Sequence, residues 1–217
     1  MPDTVPYYHL YFDLDNTLLK TSELTFLRHL PALAQRCQGT TPVTRARANM
    51  GGSNPQTVYL KTADQWYRRG ILRDTRLQNL LSKIPYHKFI ITNASRSHAT
   101  LSLKHLGLMS MFSGMVDANH LSHLKPHAEP YQKAQATEAR IYGYPGNDKS
   151  AIPHPLQRVF FDDLVENLSY PHKNGWTTVL IGHPKEFRHP DVTHSFPDIY
   201  SALESFVDTT YHGKKWS

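Results

Sequence analysis

Apolar residues follow two rhythms along the chain. Short, nearly continuous runs at Tyr8–Phe12, His87–Thr92, Val159–Phe161 and Thr177–Ile181, with a weaker one at Met115–Asp117, read as strands buried on both faces of a parallel sheet. Between them the apolar positions recur at helical spacing. In 96–107 these are Ala99, Leu101, Leu103 and Leu106, closed by Gly107, a residue suited to ending a helix. Residues 128–141 predict a second helix, and 164–174 a third that ends at Gly175. Alternating strand and helix implies an α/β fold, a doubly wound and mainly parallel Rossmann-like sheet.

Residues 20–75 break that alternation. They are helical in pattern over Glu23–Cys37 and Pro55–Arg69, interrupted by Gly51 and Gly52. The segment is too long for an ordinary strand-to-helix loop. It predicts a small helical cap inserted after the first strand, with residues 1–19 and 76–217 forming the core. Tyr144–Gln157 is rich in Pro, Gly and polar residues and reads as an exposed loop, and His183–Pro197 is also rich in Pro and His.

Composition narrows the class. A chain of 217 residues with 39% hydrophobic content suits one domain, or one core domain with an insertion. No run approaches the roughly 18 apolar residues of a membrane helix. The opening MPDTVPYYHLYF lacks the basic flank and apolar stretch of a signal peptide, so a soluble, cytoplasmic protein is expected. Cys37 is the only cysteine, which excludes an internal disulfide and a Cys-rich metal site. The net charge of +6 is scattered, and its densest cluster is Arg68 and Arg69 with Arg73 and Arg76 nearby. Such a spread argues for a small anionic substrate rather than nucleic acid. The 14 histidines form no HExxH or HxH pattern. Nothing in the sequence sets the oligomeric state.

Polar residues at strand exits carry the candidate chemistry, because ligands of parallel α/β sheets bind beyond the carboxyl ends of the strands. The first strand exits into Asp13 and Asp15, the second into Thr92 and Asn93, and the run RVFFDD into Asp162 and Asp163. Lys125 precedes the helix at 128. Carboxylates converging on one rim need a cation among them, and oxygen-only ligands favour a hard divalent ion, Mg²⁺ first. A lysine and a hydroxyl beside it suit phosphate oxygens. Aspartate can act as a nucleophile toward phosphorus, and a second aspartate two positions on can move the proton. The inventory reads as Mg²⁺-dependent phosphoryl transfer.

Taken in order, DLDNT, ITNAS, KP and FFDD resemble the four motifs of the haloacid dehalogenase superfamily of phosphohydrolases. The longer segments DLDNTLL, TNASRSHA, LKPHAEPY and FFDDLVEN are most similar to its pyrimidine 5′-nucleotidase-like branch. The resemblance spans residues 7–182 and is poorest in the cap. It implies Asp13 as nucleophile, Asp15 as general acid/base, and Thr92 and Lys125 as phosphate-binding residues, with Asn93 adding anion contacts near a helix N-terminus. It implies a metal held by Asp13, the carbonyl of Asp15 and Asp163, with Asp162 behind them or reaching the ion through water, and Asn167 orienting the acidic pair. Asp15 points to phosphate esters over halides, because a leaving halide needs no proton.

The implied substrate is a small phosphorylated metabolite such as a nucleoside 5′-monophosphate. The alternatives are a binding or regulatory protein that keeps the site, or a phosphatase for proteins or nucleic-acid ends. Thr92 and Asn93 also stand where a cap for the following helix is expected. His98, which matches a histidine of the branch but falls within a helix, reads as structural, and Trp66 as packing in the cap.

Overall fold

The structure, a computed structural model, describes residues 7–21, 24, 64, 65, 67–142 and 156–216. The helices expected over nearly all of Glu23–Cys37 and most of Pro55–Arg69, Trp66, Cys37 and nearly all of the loop at 144–157 lie outside these residues. Residues 64, 65 and 67–70 are helical.

Strands and helices alternate in the order β1 (Tyr7–Phe12), α1 (Thr75–Ser82), β2 (His87–Ile91), α2 (Arg96–Leu106), β3 (Gly114–Val116), α3 (Ala128–Tyr142), β4 (Leu156–Asp162), α4 (Val165–Lys173), β5 (Thr177–Ile181), β6 (His194–Phe196) and α5 (Ile199–Tyr211). The strands form one sheet in the order β3-β2-β1-β4-β5-β6. All five pairings are parallel, as the continuous apolar runs require. From β1 the sheet grows outward through β2 and β3, then returns to β1's other side with β4. The β1–β4 boundary is therefore the topological switch point, where α/β sheets open a crevice beyond their strand ends.

Alternation along each strand feeds two cores. Tyr8, Leu10 and Phe12 face one layer with Phe161, Val179, the α1 residues Leu77 and Leu81, Leu103 of α2 and Phe206 of α5. Tyr11, Phe89, Ile91, Phe160 and Leu180 face the other, closed by Tyr131 and Ala134 of α3 and Leu168 of α4. Tyr67 and Ile71 are buried in the first layer.

Local signals set the helix ends. Ser95 caps α2 by accepting from the His98 N–H at 3.3 Å, so neither Thr92 nor Asn93 is the cap residue. Gly107 ends α2 with φ of 78°, a left-handed conformation that costs glycine little. Asp74 caps α1 and Asp198 caps α5. The Pro- and His-rich stretch at His183–Pro197 contains edge strand β6, aligned with β5 through Ile181 and Phe196. Three residues are too short a run for periodicity to register.

Candidate active site

The residues of interest sit where the parallel strands end. The sheet continues one bond past β1, with the Asp13 N–H donating to the Phe161 carbonyl at 2.8 Å. Asp13 is thereby fixed beside the tip of β4. The chain then turns tightly, with Leu18 and Leu19 N–H groups both donating to the Leu14 carbonyl at 2.9 Å. Leu14 is buried in the first core layer, and Asn16 takes a φ of 59° that asparagine tolerates better than most residues. This anchored turn carries Asp15 past Asp13 on a short lever. Asp13 is buried, whereas the Asp15 side chain remains one-third exposed (34%).

Lys125 joins the two central strands. Its buried Nζ lies 2.6 Å from Asp13 Oδ1 and 2.6 Å from Asp162 Oδ2. Asn93 holds this lysine's backbone from both sides: its amide donates to the Lys125 carbonyl at 3.0 Å, and its carbonyl oxygen accepts from the Lys125 N–H at 2.8 Å. The Asn93 side chain is thus engaged in clamping the lysine loop. Asp162 is held in turn by the Leu164 N–H and by Asn167 Nδ2, both at 2.9 Å from its Oδ1. The hydroxyl of Tyr131 donates to the Asn167 carbonyl at 2.6 Å, tying α3 to this arrangement.

Ligand oxygens of Asp13, Asp162 and Asp163 lie within 4.8 Å of one another. Burial and repulsion from Asp162 push the Asp13 carboxyl up, against the pull of the Lys125 ammonium. Burial and Asp162 raise Asp163 in the same way. Burial lowers Lys125, but the two carboxylates on it outweigh that and leave its ammonium more firmly protonated. Three carboxylates facing one ammonium leave an excess of negative charge in a largely dry site. An oxygen-only donor set with that excess fits a hard divalent cation.

Thr92 is buried at the end of β2, and its Oγ1 accepts from the Ala94 N–H at 3.1 Å. A hydroxyl in that role keeps its proton to donate. At the N-terminus of α2 the Arg96 N–H is taken by Asn119 Oδ1 at 2.8 Å and the His98 N–H by Ser95. These two backbone groups are therefore committed within the protein rather than to an anion.

One residue set aside by sequence pattern reaches the site. His98, in the first turn of α2, places Nε2 2.7 Å from Asp15 Oδ1, while its Nδ1 bonds the hydroxyl of Tyr67. From its place within a helix the sequence reads His98 as structural. The contact depends on how α2 crosses the turn after β1, which no spacing within one helix encodes.

A family model described as haloacid dehalogenase-like hydrolase matches residues 74–139, the segment that holds Thr92, Asn93 and Lys125. No curated protein sequence matches the chain. Among solved structures, a protein described as a HAD-hydrolase of Bacillus subtilis, bound to magnesium, aligns with TM-score 0.58 and 14% identity over 94% of this chain and 99% of its own. The L-2-haloacid dehalogenase of Xanthobacter autotrophicus aligns with TM-score 0.55 and 11% identity over 92% and 98%. A protein described as a phosphoglycolate phosphatase of Lactobacillus plantarum gives 0.54 and 18% over 92% and 99%. At such identities the likeness is one of fold. The family model thus matches residues 74–139, and over the rest of the chain the similarity to haloacid dehalogenase-like hydrolases is one of fold.

Proposed function

We propose that the protein is a Mg²⁺-dependent phosphomonoesterase acting on a small phosphorylated metabolite through an aspartyl-phosphate, with nucleoside 5′-monophosphates as the first substrates to test. The observation that carries this reading is Lys125 Nζ bridging Asp13 and Asp162 beside Asp163, with Asp15 two residues from Asp13. Asp13, Asp163 and the Asp15 carbonyl would hold the ion, with Asp162 behind them. When bound, the ion supplies positive charge to the phosphate oxygens and to the carboxylates around it.

The protein's own residues supply the rest. An Asp13 oxygen attacks phosphorus, forming a P–O bond as the ester P–O bond breaks. Asp15 as general acid gives a proton to the departing oxygen. Asp15, now a carboxylate, takes a proton from water as that water attacks the aspartyl-phosphate, releasing inorganic phosphate and restoring Asp13. Lys125 holds Asp13 in place and offsets repulsion between its carboxylate and the incoming dianion. The Thr92 hydroxyl donates to a phosphoryl oxygen. The presence of Asp15 favours this chemistry over dehalogenation, since an alkoxide needs a proton to leave and a halide does not. Phosphatase descriptions among the similar folds support the same class.

The test is Asp13→Asn. Turnover of a phosphomonoester panel that includes UMP and CMP should fall at least ~100-fold, the scale on which nucleophile and proton-transfer groups contribute. Undiminished turnover in this variant would refute the assignment.

A further inference from the structure

We propose that His98 is a positioning residue that aims the Asp15 carboxyl, with Tyr67 fixing the His98 ring. The proposal rests on the phosphomonoesterase reading and extends it to residues outside the three strand ends and the Lys125 loop.

Asp15 sits on a turn, one-third exposed, and its one side-chain bond to another described residue is the 2.7 Å contact with His98 Nε2. A carboxyl in that setting has free rotamers unless something holds it, and proton transfer to a leaving oxygen is sensitive to misplacement of the donor. His98 itself is well held. Its side chain is 14% exposed, its backbone N–H is capped by Ser95, and its Nδ1 meets the Tyr67 hydroxyl. The Tyr67 ring stands edge-on to the imidazole, with centroids 5.6 Å apart, and is buried in the core layer that also contains Leu14.

Both ring nitrogens are satisfied by a neutral imidazole. In its Nε2–H tautomer the ring accepts from the Tyr67 O–H at Nδ1 and donates from Nε2 to Asp15 Oδ1, which suits both contacts. The line Tyr67–His98–Asp15 therefore needs no extra proton or charge. With Oδ1 accepting from His98, Oδ2 is the oxygen left to carry the proton given to the leaving group. The other polar side chains in the first turn of α2 do not compete, because Ser95 and Ser97 bond each other at 3.2 Å.

A residue that aims a general acid matters in proportion to how badly the leaving group needs a proton. The experiment compares wild type, His98→Ala, His98→Gln and Tyr67→Phe on p-nitrophenyl phosphate and on alkyl phosphates, including nucleoside 5′-monophosphates. His98→Ala should lose about 10- to 100-fold in kcat on alkyl esters and less than about 3-fold on p-nitrophenyl phosphate, with KM little changed. His98→Gln, which keeps an N–H near the position of Nε2, should recover most of the loss. Tyr67→Phe should show the same selectivity at smaller size. It also provides a reading if His98→Ala does not fold.

Equal losses on all esters, or none, would overturn the positioning role while leaving the phosphatase reading intact. A wild-type protein inactive on every ester would overturn both.

Discussion

Lys125 faces three carboxylates with one charge, and its removal has a sharp consequence. In Lys125→Met the side chain keeps its length and loses its ammonium, so Asp13 and Asp162 are left buried without the cation 2.6 Å from each. Breaking a buried ion pair from one side costs about 3–5 kcal/mol, mostly through the uncompensated charge left behind. The variant should melt well below wild type without divalent ions. Added Mg²⁺ should raise its melting temperature more than it raises that of wild type, since the same carboxylates then have only the ion to neutralise them. Thermal melts of both proteins with Mg²⁺ and with chelator check this, and equal Mg²⁺ shifts would count against the shared site. The site's acids were legible in the sequence because Asp13 and Asp162 each end an apolar run, and parallel strands deliver such residues to one rim. Lys125 lies on no strand, and only motif order pointed to it. His98 was singled out by resemblance but read as structural, because its contact to Asp15 crosses 83 residues of sequence and exists only through packing.

Helix α3 is joined to the sheet by charge as well as by apolar contact. Buried Glu138 accepts from Arg158 Nε at 2.9 Å and Nη2 at 2.8 Å on β4, lies 3.1 Å from His9 Nδ1 and bonds the Tyr11 hydroxyl on β1. Burial pushes this carboxyl up, but the close contact with His9, the hydrogen bonds from Arg158 and Tyr11 and the charge of Arg158 outweigh it and hold the group at about 2. A folded value depressed from 4.5 gives stability that is fully present above about pH 4.5 and lost as pH falls toward about 2. The expected contribution is about 3 kcal/mol above that window. Glu138→Gln should therefore be clearly less stable than wild type in urea at pH 7, and the gap should narrow as pH drops below about 4.5. A gap constant down to the lowest pH at which both fold would refute the linkage. The pairing was hidden from the sequence because Glu138 falls in an amphipathic helix, where a charged residue ordinarily reads as a solvated face. The long strands were legible for the opposite reason. A strand buried on both faces is apolar at every position, whereas β6, three residues with a single large apolar side chain, offers periodicity nothing to detect.

At the scale of the molecule, the sheet's first core layer is closed by Trp216, which draws together elements far apart in sequence. Its ring lies 4.5 Å from that of His194 on β6, 5.1 Å from Phe206 on α5 and 6.1 Å from Phe161 on β4. Its backbone N–H donates to the hydroxyl of Tyr8 on β1 at 2.9 Å. One side chain thus contacts the edge strand, a central strand and the helix that covers them, and it is 3% exposed. Trp216→Ala should destabilise the fold by about 3–5 kcal/mol, since the rings around it cannot collapse into the space without moving strands. Tyr8→Phe removes only the hydroxyl and should cost about 1 kcal/mol, the usual size of one lost hydrogen bond. Neither residue is among those bonded to the acids at the strand tips, so kcat at a temperature where both variants are folded should stay near wild type. Equilibrium denaturation combined with turnover separates the two effects. A fall in kcat beyond about 5-fold in folded Trp216→Ala would mean that this layer positions the acids as well as supporting the strands, since 1.4 kcal/mol on a barrier already corresponds to tenfold.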